Sequence, residues 1–389
     1  MAQKLKFGNG TWATKEGSTL AYNDENNNYK PLPFSFTRDS IATRVNKEGL
    51  IEVVGNDKPR IDYTDSADGV LLLENSATNL VTYSEDFNQW SKIGGVVVTN
   101  DFTISPDGTQ NASKLVFDGT TSGRVELSAT ASGTVTQSVY LKTESGTQAV
   151  SIGAGSSSLL EVTVTNEWQR FEFTGSGNFP RILCNDVATI YAWGAQLEAN
   201  SFSTSYIPTS GSTVTRQAET ANGAGNSEVF NSEQGVLFAN ILPSTFTDVA
   251  PNYYKFISLS NGTSSNRLLL GITSASKLAI TMVTSGGNTA FTETTISKQS
   301  LKVAINWDAN YLTVYLNGFQ FLTPLSIVSN FAANTLNRLN FNTPTSYPFY
   351  GKTKEISYYD TALTDEELET LTSYRSLNEL VTELNLNTL

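Results

Sequence analysis

Apolar and polar residues alternate with a period of two in short runs along most of this chain, and turn residues separate the runs. Val135, Gln137, Val139 and Leu141 alternate with Thr134, Thr136, Ser138 and Tyr140. Leu160, Val162 and Val164 alternate with Glu161, Thr163 and Thr165; Asn166 and Glu167 then turn the chain towards Trp168, Phe171 and Phe173. A period of two puts one set of side chains on each face of a strand, so each run can bury one face only against a second sheet. Asn111 to Phe117, closed by Asp118-Gly119, repeats the strand-and-turn pattern. A second group follows: Gly235 to Ala239, Phe256 to Leu259, Arg267 to Ile272, Leu278 to Val283, Leu301 to Trp307 and Leu312 to Leu316. Asp308 to Asn310 supply one turn, and Asn317-Gly318 is a strong hairpin signal. The fold class is therefore all-β, with two tandem antiparallel β-sandwiches of jelly-roll type. A length of 389 residues has room for two or three domains.

The boundary between the sandwiches is read from Ile190 to Arg216. Ile190 to Trp193 is a strand without a breaker, whereas Pro208 cannot donate to a ladder and holds Ile207 extended. Ala221 to Ser227 (ANGAGNS) reads as a linker. The first sandwich then spans 81–220 and the second 228–375. Tyr191 and Trp193 share one strand face and read first as core, since large aromatic residues are mostly buried; they are also the candidate ligand platform.

Residues 1–80 look irregular. Tyr22 to Asn28 is polar, Pro31 and Pro33 follow, and only short strand-like pieces appear: Phe34 to Phe36, Ile41 to Arg44, Leu50 to Val54 and Val70 to Leu73. Asn46 to Gly49 has the form of a hairpin turn. So little contiguous apolar sequence predicts a segment without its own core, buried against copies of itself or another protein. At the other end, Thr364 and Glu367 form a capping box that starts a short helix, with Leu363 and Leu368 as its hydrophobic staple. The acidic Asp365 to Glu367 run suits a helix amino terminus. The tail 376–389 carries Leu377, Leu380, Val381 and Leu384 at helical spacing, an amphipathic stripe read as packing on the sandwich.

The chain has no histidine and one cysteine, Cys184. An intrachain disulfide, a Cys/His zinc site and histidine-based nucleophilic catalysis are excluded. Cys184, beside Ile182 and Leu183, reads as a small core residue. A net charge of -12 and the absence of a Lys/Arg-rich run argue against nucleic acid as a partner. No stretch approaches a membrane span, and the amino terminus lacks an apolar run of signal-peptide length, so synthesis in a cytoplasm without membrane insertion is expected.

Three separated pieces resemble a known family in order: Tyr191 to Glu198 (YAWGAQLE), Thr204 to Thr209 (TSYIPT) and Val214 to Arg216 (VTR). They resemble the closing segment of a carbohydrate-binding-like jelly roll found in bacteriophage tail and head fibre proteins. Phe36 to Ser40, Ala42 to Arg44, Gly49-Leu50, Pro59 to Tyr63, Leu71 to Glu74, Thr78 to Leu80 and Tyr83 to Phe87 resemble the same fibre pattern. Asn75 to Ala77 depart from it, where a proline and an arginine are usual. Ala304 to Trp307, Val314 to Gly318, Phe349 to Gly351, Ile356 to Tyr359 and Ala362 to Leu368 resemble the concanavalin A-like, laminin-G-like sandwiches.

The resemblance implies a structural fibre or spike subunit of a virion. Residues 1–80 would attach it to other virion proteins as a homotrimer, and the sandwiches would meet host surface glycan without catalysis. Alternatives from other classes are a polysaccharide depolymerase and a ligand-free decoration or adaptor protein. Glucan-cutting enzymes of the concanavalin A-like fold carry Glu-x-Asp-x-x-Glu on one strand; the nearest run here, Glu355 to Asp360, lacks the middle acid. The resemblance requires no cofactor. It does suggest a structural calcium, for which Asp118, Asp186 and Asp308 are the turn-borne candidates; turn propensity accounts for each equally well.

Overall fold

Antiparallel strands make up almost all of the secondary structure in the computed structural model, which describes residues 3–20, 32–155, 158–242, 255–273, 277–285, 287–296, 300–344 and 347–383. The all-β expectation holds. The polar run Tyr22 to Asn28 and Leu384 of the tail stripe lie outside the described residues.

The chain divides into two units. One consists of Ser40–Gly55 and Asn75–Ala218. It is a sandwich of two five-stranded sheets. The first runs in the order Ser91–Ile93, Arg124–Glu126, Arg181–Leu183, Gln148–Gly155, Ser158–Val164. The second runs Val97–Thr103, Ala112–Asp118, Val187–Glu198, Thr134–Thr143, Gln169–Ser176. Val135, Val139 and Leu141 enter the core between the sheets, as the alternation requires, with Leu115, Phe117, Ile152, Ile182 and Ile190. Gln137 shares their face and is fully buried. Its Nε2 donates to the Arg181 carbonyl at 3.0 Å and its Oε1 accepts from the Gly153 N–H at 3.0 Å, so the amide ties one sheet to the other. Cys184 is buried in this core.

The other unit consists of Met1–Asp39, Asn56–Glu74 and Glu219–Leu389. Among the described residues it packs an eight-stranded sheet on a nine-stranded one. The core between them includes Phe7, Phe34, Phe36, Leu71, Leu237, Ile257, Ile305, Trp307 and Tyr358. Asn317 and Gly318 have φ of 50° and 87°, the left-handed pair that a two-residue hairpin between Tyr311–Leu316 and Phe319–Ser326 requires. Helix Asp365–Thr372 begins at Thr364 with both capping-box bonds formed. Leu363 and Leu368 are buried together against Phe238 and Tyr359.

Two expectations about domains need correction. Residues 1–80 are not a separate segment without a core. Gln3–Gly8 pairs with Gly351–Tyr359, setting Leu5 opposite Tyr358 and Phe7 opposite Ile356. Val70–Leu73 continues along the same edge of that strand, and Arg60–Asp62 pairs with Val70–Leu73. The hairpin Ala42–Val45 with Ile51–Val54 belongs to the other unit. Each short piece is thus buried by a distant part of the same chain. Ala221 to Ser227 is not a free linker either. Strand Thr220–Ala224 lies between Phe34–Thr37 and Arg338–Asn340, with Ala221 and Ala224 in the core. Alanine and glycine there permit close packing beneath the aromatic residues rather than flexibility.

The ends of these segments meet in a buried ion cluster. Glu219 accepts from Arg38 at 2.8 Å through Nη1, from Arg60 through Nε at 2.8 Å and through Nη2, and from the Glu74 N–H at 2.9 Å. Arg60 Nη2 also donates to Glu74 at 2.8 Å. Arg38, Arg60 and Glu219 side chains are 0% exposed. Burial works against the Arg60 charge, and Glu219 and Glu74 more than offset it, leaving its pKa raised. The tail differs from its expected stripe. In helix Leu377–Glu383, Leu377 is 68% exposed, and Glu379 anchors the helix by bonding Lys302 at 2.6 Å.

Candidate functional site

Strand Val187–Glu198 carries the aromatic residues singled out in the sequence. Ile190 and Ala192 point into the jelly-roll core, so Tyr191 and Trp193 take the outer face of the second sheet. They share that face as expected, but they do different things. Trp193 is 1% exposed and packs with Ile51, Ala112 and Tyr206, its ring 4.6 Å from that of Tyr206 and 5.5 Å from that of Tyr140. It belongs to a small second core, roofed by the hairpin that carries Ile51, and is no ligand platform.

Tyr191 lies further along the face. Register places Lys114 opposite it on one neighbouring strand and Lys142 on the other. The Phe102 ring stacks on Tyr191 at 5.9 Å and 15°. Lys114 Nζ sits 4.5 Å from the Phe102 centroid, and Lys142 Nζ lies 5.5 Å from that of Trp168 and 5.8 Å from that of Tyr191. Trp168 Nε1 donates to the Ile104 carbonyl at 3.0 Å, which fixes its ring. Tyr191 is thus covered, while Phe102 remains 44% exposed and Trp168 half-buried. Burial raises the Tyr191 pKa, and the Glu144 charge adds to it, so the phenol stays protonated.

The product is a shelf of ring faces bordered by two amines. Flat rings can receive the apolar face of a sugar ring, and lysines can donate to hydroxyl or carboxylate oxygens. Sequence reading found Tyr191 but missed Phe102, Trp168, Lys114 and Lys142. Leu115 and Leu141 enter the core, so their neighbours Lys114 and Lys142 take the outer face; that both stand opposite Tyr191 follows only from the strand order.

The stretch that closes the unit holds the far end of this face in place. Tyr206 Oη bonds Glu85 Oε1 at 2.7 Å, Gln196 Oε1 accepts from the Ile207 N–H at 2.7 Å, and Thr209 Oγ1 donates to the Val81 carbonyl at 2.7 Å. Burial, reinforced by the charge of Glu85, lifts the Tyr206 pKa well above its ordinary value.

The three calcium candidates do not come together. Asp118 accepts from the Thr120 N–H at 2.9 Å, and Asp186 from Gln148 at 2.9 Å. Asp308, in the other unit, accepts from the N–H groups of Asn310 at 2.7 Å and Tyr311 at 2.8 Å. The Asp118 and Asp308 carboxylates close their own turns, and Asp186 holds a neighbouring side chain. Among the described residues no group of three or more His, Cys, Asp or Glu side chains could hold a metal ion.

No protein-family model matches the sequence, and no curated protein matches it. Solved structures do match. A CBM40 domain of the Ruminococcus gnavus IT-sialidase bound to α2,3-sialyllactose is 20% identical, covering 37% of this chain and 84% of that one at a TM-score of 0.30. Domain 4 of an extracellular arabinanase from Geobacillus stearothermophilus, in complex with arabinotriose, is 14% identical over 44% of this chain and 83% of that one, with a TM-score of 0.30. A Trypanosoma rangeli sialidase is 10% identical over 91% of this chain and 65% of its own, again at 0.30. The likeness is to carbohydrate-binding β-sandwich domains and to sialidases. At these scores it carries no argument about what this chain binds.

Proposed function

We propose that this chain is a non-catalytic, glycan-binding adhesion subunit of a bacteriophage fibre or spike, and that the outer face of the jelly roll meets the glycan. The observation that carries the binding reading is the shelf: exposed Phe102 stacked on Tyr191, Trp168 beside it, and Lys114 and Lys142 bordering the rings. Phe102 is held by Tyr191 and Lys114 and still leaves part of its ring in solvent, as a platform for a sugar ring requires. The virion setting rests on the fibre-like residue pattern of the sequence. A homotrimer, and attachment to other virion proteins, rest on that pattern alone, because the apolar strands of residues 1–80 find their burial within the chain.

A glycan array followed by calorimetry tests the reading. Phe102→Ala should abolish retention of the bound glycan while leaving the melting temperature within a degree or two of wild type, and Lys142→Gln should weaken it about tenfold. Array silence, or full binding by Phe102→Ala, would refute it. Release of reducing ends from host capsule would replace it with the depolymerase reading, and light scattering coupled to size exclusion decides the trimer.

A further inference from the structure

In the unit built on the eight- and nine-stranded sheets, the outer face of the eight-stranded sheet breaks the usual alternation. Its inner face is apolar, with Leu237, Ala239, Val303, Ile305 and Ile356 in the core. Outward residues should be solvated, yet Lys302, Asn240 and Glu355 are only 4%, 5% and 6% exposed. They form a row across three adjacent strands, Asn240 standing opposite Lys302 on one side and Glu355 on the other.

Burying such a row is costly unless each group is held. Here each is. Lys302 Nζ donates to the Ser373 carbonyl at 3.0 Å and to Glu379 at 2.6 Å. Ser300 donates to Asn240 Oδ1 at 3.0 Å, and Ser357 to Glu355 at 2.8 Å. Lys6 Nζ lies 3.8 Å from Glu355.

Above this polar floor is a cavity of about 390 Å³, lined wholly by residues of this unit. That volume lies within the range of roughly 300–1,000 Å³ usual for small-ligand sites. Phe238, Tyr359 and Leu371 contribute carbon to the lining, and Gln3 and Asn9 add amides, Gln3 Nε2 donating to the Tyr359 hydroxyl at 3.2 Å. Lys6, Lys302, Lys354 and Arg375 set four positive charges against the three negative charges of Asp68, Glu355 and Glu379. The cavity is therefore net positive (4 − 3 = +1) in a chain of net charge -12. Burial alone would raise the Glu379 pKa; the bond from Lys302, the Arg375 N–H and the Lys302 and Lys354 charges outweigh it and hold the carboxyl below its ordinary value.

We propose that this cavity binds an acidic sugar residue, a small polyhydroxylated carboxylate. Lys354 and Arg375 at the rim supply the charge for the carboxylate. Asn240, Gln3 and Glu355 supply the mixed donors and acceptors that ring hydroxyls need, and the carbon of Phe238, Tyr359 and Leu371 takes an apolar edge. This site does not depend on the jelly-roll shelf.

The test uses the full chain, with D-glucuronate as probe and D-glucose and acetate as controls, read by calorimetry and saturation-transfer NMR. Glucuronate should bind saturably, and glucose and acetate should each bind at least tenfold more weakly. Lys354→Gln and Arg375→Gln, both rim changes, should each weaken glucuronate about tenfold. Phe102→Ala should leave it unchanged, which separates failure of this site from failure of the shelf. Glucose binding as well as glucuronate would overturn carboxylate recognition, and acetate binding as well would reduce the site to an anion hole. Absence of saturable binding, or indifference to both rim substitutions, would overturn the proposal outright.

Discussion

The two units close their chain ends with opposite chemistry. In the jelly roll the closing residue is a neutral amide. Asn79 is fully buried; its Nδ2 donates to the Ala195 and Ile207 carbonyls at 3.2 and 2.9 Å, and its Oδ1 accepts from the N–H groups of Val81 and Leu197 at 3.0 and 3.1 Å. In the other unit the same task falls to the Arg38, Arg60, Glu74 and Glu219 ion cluster. The unit assembled from three separated segments has ends at Asp39, Asn56, Glu74 and Glu219 that must be gathered. Ion pairs gather them through several strong bonds to one carboxylate, at the cost of great sensitivity to the loss of any partner.

The largest effect should come from cutting the chain. A fragment of residues 228–375 lacks Leu5, Phe7, Phe34, Phe36, Leu71, Leu73, Ala221 and Ala224 of its own core. Circular dichroism of that fragment should show no cooperative melting. A fragment of residues 75–218 keeps its main core and loses only the hairpin over Trp193, so it should melt cooperatively at a reduced temperature. A cooperative 228–375 fragment would break the comparison, since the early strands would then be ornaments on a self-sufficient sandwich.

Next is Glu219→Ala, which removes the carboxylate that the buried Arg38 and Arg60 share and leaves Arg60 with Glu74. Urea denaturation should show a loss of about 3–5 kcal/mol. A loss under 1 kcal/mol would mean that water or rearrangement replaces the carboxylate, and that the cluster does not gather the segment ends.

Lys255 tests how that unit bears a charge that burial disfavours. It begins strand Lys255–Ser260 on the same face as the core residues Ile257 and Leu259, and is 8% exposed. Burial lowers its pKa from 10.5 to about 8. Below pH 8 the lysine is charged in both states, and the folded state bears the desolvation cost. Between pH 8 and 10.5 the folded lysine loses its proton while the unfolded one keeps it. The unfolded state then binds more protons, so this group's contribution to stability rises with pH. Lys255→Met should therefore stabilise the protein at pH 7, by roughly 3 kcal/mol at most, and the gap from wild type should shrink towards pH 10. Urea titrations of both proteins at several pH values measure it; a gap independent of pH would show that the lysine is not desolvated.

Local rules were legible in the sequence where local physics decides. The alternation of Val135 to Leu141, the Asn317-Gly318 turn and the Thr364 capping box all form as read. The joining of distant pieces was not. Arg60–Asp62 and Thr220–Ala224 are too short for their composition to show which strand they pair with. A stretch of small residues reads alike as linker or as closely packed strand. The fibre-like pattern did contain the answer in another form. Phe36 to Ser40, Pro59 to Tyr63 and Leu71 to Glu74 hold Arg38, Arg60 and Glu74 of the ion cluster, and Thr78 to Leu80 hold Asn79. What looked like an attachment signature is, in part, the set of residues that closes each unit. For the shelf, Tyr191 was visible as an aromatic residue in a strand. Phe102 was not, because Val97–Thr103 is mostly exposed and offers no buried stripe.

The smallest effect should come from the neutral seam. Asn79→Ala removes four hydrogen bonds, but the groups left behind are two carbonyls and two N–H groups rather than charges. Carbonyls tolerate under-satisfaction better than N–H groups, and a water molecule can enter the space vacated by the amide. The loss should be about 1–3 kcal/mol, clearly below that of Glu219→Ala. Hydrogen exchange supplies a local readout. The Val81 and Leu197 amides donate to Asn79 Oδ1, so they should lose protection in the variant, while amides of the other unit such as that of Glu74 should keep theirs. Glu219→Ala should do the reverse, exposing the Glu74 amide and sparing Val81 and Leu197. If Asn79→Ala costs as much as Glu219→Ala, the distinction between neutral and charged seams fails. If either variant deprotects both sets of amides together, the two units unfold as one and the closing residues have no separate territory.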